Sequence, residues 1–226
     1  CLAFAILSLG AEANPGTPLA DGTVNPVQVD GVFPGMTVYA HGIGSNSETG
    51  IGALIPWADK LWAIGYVAHI RGEGIGLYEI HDNMTMQLHP QAVTGTFANR
   101  LVHWETNQAV IGPHVIDASG QVRTIETLAK HRLTATARHL DHPEKMVYFL
   151  TMEGLLFETD LVTLETRKIA DLVKTLDIEG QRHFKGCHSA QGRVVVANNT
   201  YEEVEFLGER AGGCLAEWDG KTWTVL

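Results

Sequence analysis

Glu144-Lys145-Met146-Val147-Tyr148-Phe149-Leu150-Thr151 puts a basic residue at the end of a polar turn and follows it with an apolar, aromatic and β-branched run, the mark of a strand leaving a turn. The same pattern returns at Asp59-Lys60-Leu61-Trp62, Asn99-Arg100-Leu101-Val102 and Gly192-Arg193-Val194-Val195. Lys60, Arg100, Lys145 and Arg193 follow one another at intervals of 40, 45 and 48 residues. Such a period fits a sheet of four short strands, and β-propeller blades are the leading architecture at this length.

Outward from that unit, each interval reads as four strands. They are 53–57, 61–67, 76–80 and 85–88, then 95–97, 101–105, 114–117 and 121–125. The third and fourth intervals give 133–139, 146–152, 155–160 and 165–172, then 184–189, 194–198, 214–218 and 222–226. Gly, Asp and Asn separate these runs, and no segment of similar quality has a helical period. Segments 126–131 and 170–180 read as short helices between units. The expected fold is all-β: a β-propeller made of four-stranded antiparallel blades at about 51–90, 91–130, 131–180 and 181–226. The run 222–226 stops inside an outer strand, so these are expected to be at least four blades of a larger propeller. A complete four-bladed ring is the rival.

The chain has 226 residues, 45% of them hydrophobic, enough for a full core. Its formal charge of −10, with no Lys/Arg-rich run, disfavours a nucleic-acid footprint, so an anionic partner would have to be held by a local basic pocket. The stretch LAFAILSLG at 2–10, ahead of Ala11-Glu12-Ala13, reads as a signal core with its cleavage site. Residues 1–13 are therefore expected to be a leader remnant and the protein periplasmic or secreted. That stretch is too short to span a bilayer, and no transmembrane segment is expected in the mature chain. Residues 14–50, with Pro15, Pro18, Pro26 and Pro34, read as an irregular lead-in with first strands. Cys187 and Cys214 fall on the first and third strands of one blade. They are separated by about twice the ~4.8 Å strand spacing and are expected to be free thiols.

The eleven histidines show no zinc-site spacing. Metal content stays open, because a propeller can gather ligands for a divalent metal from successive blades. Position within the blade is a better filter: first strands and the loops leading into them form one face, so polar residues there are candidates. In the third repeat these are Arg132, Arg138 and His139, and in the fourth Arg182, His183, Lys185 and His188. The stretch RHFKGCH at 182–188 is the densest basic segment of an acidic chain and suits a carboxylate, a sulfate or a uronic sugar. Its competing reading is a solvated loop. His183 and Lys185 are the candidate catalytic residues; Arg132, Arg138, His139, Arg182 and His188 are the candidate ligand-binding residues. The glycine-rich stretches 42–47 and 72–76 do not lead from a strand into a helix, which excludes phosphate-loop readings. Glu79, Asp117, Glu158 and Glu217 recur on third strands and are assigned to packing or turn hydrogen bonds. The strand aromatics are assigned to packing between blades, with a sugar-stacking platform as the alternative.

Six phrases carry a family resemblance: GIGALIPWADKLW at 50–62, NQAVIGPH at 107–114, KMVYFLTMEG at 145–154, HFKG at 183–186, QGRVVVANN at 191–199 and LAEWDG at 215–220. In them the chain resembles a group of exported bacterial β-propeller-like proteins that carry no assigned activity. The resemblance implies a periplasmic or secreted propeller whose relatives continue past residue 226, and it supplies no catalytic residue.

Two hypotheses of function follow. One is an exported propeller that binds or cleaves an acidic glycan, with a divalent metal allowed. In the cleaving form His183 or Lys185 removes the proton α to a uronate carboxylate that Arg138 or Arg182 holds. The other is a non-enzymatic protein-interaction or envelope scaffold module that uses loops such as 200–213, with the acidic residues Glu202, Glu203 and Glu205.

Overall fold

The structure is a computed structural model that describes residues 49–67, 76–82, 85–178, 182–199 and 213–226. The leader, nearly all of the lead-in, both glycine-rich stretches except Gly76 and the acidic loop 200–212 lie outside the described residues.

Four four-stranded antiparallel sheets are each built from consecutive strands in simple order. The first holds β1 (Thr49–Trp57), β2 (Lys60–Val67), β3 (Leu77–Ile80) and β4 (Met86–Leu88). The second holds β5 (Arg100–His103), β6 (Gln108–Ile111), β7 (His114–Asp117) and β8 (Val122–Thr124). The third holds β9 (Leu133–Arg138), β10 (Met146–Thr151), β11 (Leu155–Asp160) and β12 (Thr166–Asp171). The fourth holds β13 (Phe184–Ala190), β14 (Arg193–Asn198), β15 (Cys214–Trp218) and β16 (Trp223–Val225). Single helical turns, α1 (Glu126–Ala129) and α2 (Leu172–Thr175), sit between the sheets. Among the described residues no helix is long and apolar enough to cross a membrane.

Turn chemistry explains three of the four recurring basic residues. Ala58 and Asp59 (φ 52° and 56°), and Gln191 and Gly192 (φ 51° and 71°), form two-residue turns with both centres at positive φ, the geometry that matches the twist of the flanking strands. Lys60 and Arg193 are the first residues beyond those turns, and Lys145 enters β10. Each meets an acid of the third strand: Lys60 reaches Glu79 at 2.6 Å, Lys145 reaches Asp160 at 3.0 Å, and Arg193 lies 3.7 Å from Glu217 and from Asp219.

The second repeat departs from the expected phase. Residues 96 and 97 are bridges to Tyr66 and Leu133, and Arg100 begins the first strand of its sheet. The second strand is β6, over which no strand was expected. Its hairpin turns at Trp104–Asn107 without a glycine, because Asn107 itself takes φ 53°. The third-strand acids also divide into two kinds. Glu79, Glu158 and Glu217 stand opposite Trp62, Tyr148 and Val195 inside the second strands. Asp117 instead stands opposite Gln108, as Asp160 stands opposite Met146. Asp117, Asp160 and Asp219 cap the turns into the fourth strands. Their Oδ1 atoms accept backbone N–H bonds from Ser119 and Gln121, from Val162 and Thr163, and from Lys221 and Thr222, all at 2.7–3.1 Å.

The sheets stack through both faces. Along β10, Val147 and Phe149 join a core with Trp62, Phe97 and Ile116 of the first two repeats, whereas Tyr148 and Leu150 join a core with Phe184, Val196 and Ala216 of the fourth sheet. That period-two split places the third sheet between the second and the fourth. The first strands neighbour one another in turn: β1 beside β5, β5 beside β9, β9 beside β13. Gly52 marks how close the first contact is, since a Cβ there would stand 1.8 Å from the Phe97 carbonyl oxygen.

Candidate functional site

The first strands of three sheets share an irregularity near their starts. Pairing skips one residue at Gly52 in β1, at Thr134 in β9 and at Lys185 in β13, so each is the extra residue of a β-bulge. Their surroundings differ. The space beside Gly52 is filled by the Phe97 backbone. Thr134 is buried, with its hydroxyl 3.3 Å from the Leu150 carbonyl oxygen. Lys185 alone of the three is exposed and charged, and its ammonium lies 5.9 Å from the centre of the Tyr66 ring, a cation–π contact.

That contact joins the fourth repeat to the first, at a point where the strand starts of the other repeats also meet. Tyr66 bridges Thr96, whose carbonyl accepts the Leu133 N–H at 2.9 Å, and Leu133 in turn accepts from Ala98 at 2.8 Å. Met152 then ties the third sheet to the fourth. Its N–H donates to Arg132 at 2.8 Å and its carbonyl accepts from Phe184 at 3.0 Å. Two basic segments, Lys130-His131-Arg132 and Arg182-His183-Phe184-Lys185, are thereby set side by side on one rim. Lys130 and Arg182 are exposed, Arg132 and His183 half-buried.

Arg132 pairs with Glu153, and with both side chains more than a third exposed the pair contributes at most about 1 kcal/mol. The pair is a minor structural bond, and it sets the Glu153 carboxylate beside the Arg132 guanidinium at the rim. His131 packs 5.0 Å from Phe157, and burial lowers its pKa, with Lys130 acting in the same direction and Glu153 against it. It therefore adds bulk but no charge at neutral pH. His183 is fixed through its backbone, its N–H donating to Asn198 Oδ1 at 2.8 Å and its carbonyl accepting from Asn199 at 3.0 Å.

Three expected site residues lie away from this rim. Arg138 ends β9, six residues from Arg132 and so roughly 20 Å distant along the strand. It pairs with Glu105 of the β5–β6 turn. One carboxylate cannot be held by Arg138 and approached by Lys185 together. His139 is buried: its Nδ1 accepts backbone N–H groups of Asp141 and His142 at 3.1 Å, which assigns the proton to Nε2, 3.3 Å from Glu158. Its ring stacks on Tyr148 at 4.4 Å, and the residue shapes the β9–β10 turn. His188 is exposed farther along β13, opposite Val195.

Cys187 and Cys214 are free, with β14 between their strands. Burial pushes the Cys187 thiol up to about 12, which makes it a poor nucleophile. Among the described residues no group of three or more His, Cys, Asp or Glu is placed to hold a metal ion.

Sequence reasoning did not select Tyr66, Lys130 or Glu153. The available signal was an apolar-x-small triplet at the strand starts, Ile51-Gly52-Ala53, Leu133-Thr134-Ala135 and Phe184-Lys185-Gly186, which marks the bulges and singles out Lys185.

Fold and site together define an all-β chain of four consecutive four-stranded antiparallel sheets with a basic rim where the strand starts meet. No protein-family model and no curated protein sequence matches it. Among solved structures, the crystal structure of the Niastella koreensis GH74 enzyme is similar over 75% of this chain and 28% of its own, at 12% identity and a TM-score of 0.46. The chain thus spans less than a third of that protein, and a likeness this low defines neither fold nor chemistry here.

Proposed function

We propose that the four sheets are blades of a β-propeller belonging to an exported protein, and that the rim formed by Arg132, Arg182, His183 and Lys185 binds an acidic glycan. One observation carries the reading: Met152 bonds to both Arg132 and Phe184, which brings two separate basic segments together in a chain whose net charge is −10. Clustered cations within an acidic surface select an extended anion and steer it locally. In the cleaving form, Lys185 or His183 takes the proton from the carbon α to the uronate carboxylate, and Arg132 or Arg182 holds that carboxylate. The electron pair of the broken C–H bond forms a C=C bond, the glycosidic C–O bond breaks, and the departing oxygen acquires a proton from water.

The test is binding of polygalacturonate and dextran sulfate against neutral dextran over a salt series, with Arg132→Ala and Lys185→Ala. Tight, salt-sensitive binding of the polyanions that weakens in both variants is expected. Equal affinity for dextran, or variants that bind like the wild type, refutes the rim. Ultraviolet absorbance of an unsaturated product separates cleavage from binding alone. The interaction-module reading depends on loop 200–213, of which residues 200–212 lie outside the described residues.

A further inference from the structure

A cleft of about 500 Å³ opens between α2 with the outer strands β11 and β12 on one side and the β15–β16 hairpin on the other. Its walls include Trp218, Trp223, Asp171, Lys174 and Lys221, none of which belongs to the rim. Trp218 and Trp223 are direct cross-strand partners that lie nearly parallel, with ring centres 5.7 Å apart and planes 9° apart. Trp218 meets the buried Tyr148 edge-on at 5.8 Å, and the Tyr148 hydroxyl accepts the Leu140 N–H at 3.3 Å. The indoles are thus fixed by packing before any ligand arrives.

The turn between them is fixed as well. Asp219 Oδ1 accepts from Lys221 and Thr222 at 2.9 and 2.7 Å, and Gly220 takes φ 92°, a conformation that side chains resist. Lys221 is exposed at a defined point beside the aromatic pair. Across the cleft the Lys174 ammonium, 84% exposed, stands 3.5 Å from Asp171. Lys174 and Lys221 thus stand at the margin beside the carboxylates of Asp171 and Asp219, the latter also met by Arg193 at 3.7 Å.

An indole face with lysines at its edge suits a sugar ring that lays its C–H face on the indole and turns an anionic substituent outward to lysine. We infer that this cleft is a subsite for a uronic-acid residue. The choice of ligand rests on the acidic-glycan reading above; the cleft's shape and residues do not.

Trigalacturonate is the probe, with neutral cellotriose as its control, read by calorimetry and by tryptophan emission. The wild type is expected to bind the acidic trimer with a change in emission. Trp223→Ala should weaken binding about tenfold or more. Lys221→Gln, an exposed change that leaves the core intact, should remove the preference over cellotriose. Arg132→Ala and Lys185→Ala should leave the trimer's affinity unchanged while weakening long polygalacturonate. Trimer binding that survives Trp223→Ala and Lys221→Gln but falls in the rim variants overturns the cleft and keeps the rim; trimer binding lost in the cleft variants, with long polygalacturonate unaffected by Arg132→Ala and Lys185→Ala, overturns the rim and keeps the cleft. No trimer binding to the wild type overturns the cleft, as does stronger binding of a planar aromatic acid such as indole-3-acetate.

Discussion

His114 gives this protein a calculable sensitivity to acid. It opens β7 with no exposed surface, its Nδ1 3.0 Å from the Thr124 hydroxyl and its Nε2 buried without a partner among the described residues. Burial pushes its pKa down to about 4 from an ordinary 6.5, and the neighbouring His89 acts in the same direction. The folded protein therefore holds His114 neutral while the unfolded chain takes up a proton at higher pH. Stability is complete above pH 6.5, drains as pH falls from 6.5 toward 4, and gains no further loss from this residue below that. The gap of about 2.5 pH units corresponds to about 3 kcal/mol, a large part of a typical domain's stability. His89, His103 and His131 are also lowered by burial and add to the same trend. Urea unfolding of wild type and His114→Asn at about pH 7, 5.5 and 4.5 isolates the residue, because carboxylates such as Asp117 and Asp160 begin to titrate only at the acid end of that window. The variant should be the weaker protein at neutral pH, with a shallower loss on acidification. Wild type and variant losing stability in parallel between pH 6.5 and 4.5 would refute burial as the cause.

Gly52→Ala should destabilise by about 3 kcal/mol or more, because the new Cβ meets the Phe97 backbone rather than a side chain that could move; unchanged unfolding would contradict that contact. Asp160→Ala should remove about 1–2 kcal/mol by orphaning the Val162 and Thr163 N–H groups, whereas Asp160→Asn, which keeps an acceptor, should recover most of it in the same denaturation assay. Glu105→Ala should change stability by less than about 0.5 kcal/mol, since its pair with Arg138 is exposed; a larger loss would give Arg138 a structural role.

The three repeats with short, twist-matched or aspartate-capped turns were legible because their chemistry is local: Lys60, Lys145 and Arg193 each follow a turn and precede a buried run. The second repeat was not, for a reason that is also physical. Its first hairpin turns on Asn107 rather than glycine, and β6 begins with Gln108, a polar residue that the fold buries. Arg100 then imitated a second-strand start while beginning a first strand. The site was half legible. Strand-start position selected Arg132, Arg182, His183 and Lys185, which lie on the two segments that Met152 links, but sequence carries no strand direction along β9, so Arg138 and His139 at its far end were grouped with them. Tyr66 was invisible because it reaches Lys185 across repeats, from 119 residues earlier in the chain.

Internal repetition offers a way to separate residues that fold the sheets from residues that act on a ligand. A side chain required by the repeat must recur wherever the geometry recurs, as Glu79, Glu158 and Glu217 do, each beside a local cation at Lys60, Arg167 or Arg193. A side chain that serves a ligand at the meeting point of the sheets needs to appear only once. Lys185 meets that criterion, since its counterparts Gly52 and Thr134 form the same bulge with no side chain and with a buried hydroxyl. Lys185→Thr, which installs the third sheet's own bulge residue, should therefore leave stability within about 0.5 kcal/mol of wild type while lowering affinity for polygalacturonate and flattening its salt dependence. If the variant instead unfolds as readily as Gly52→Ala, the lysine belongs to the fold and the rim loses its central residue.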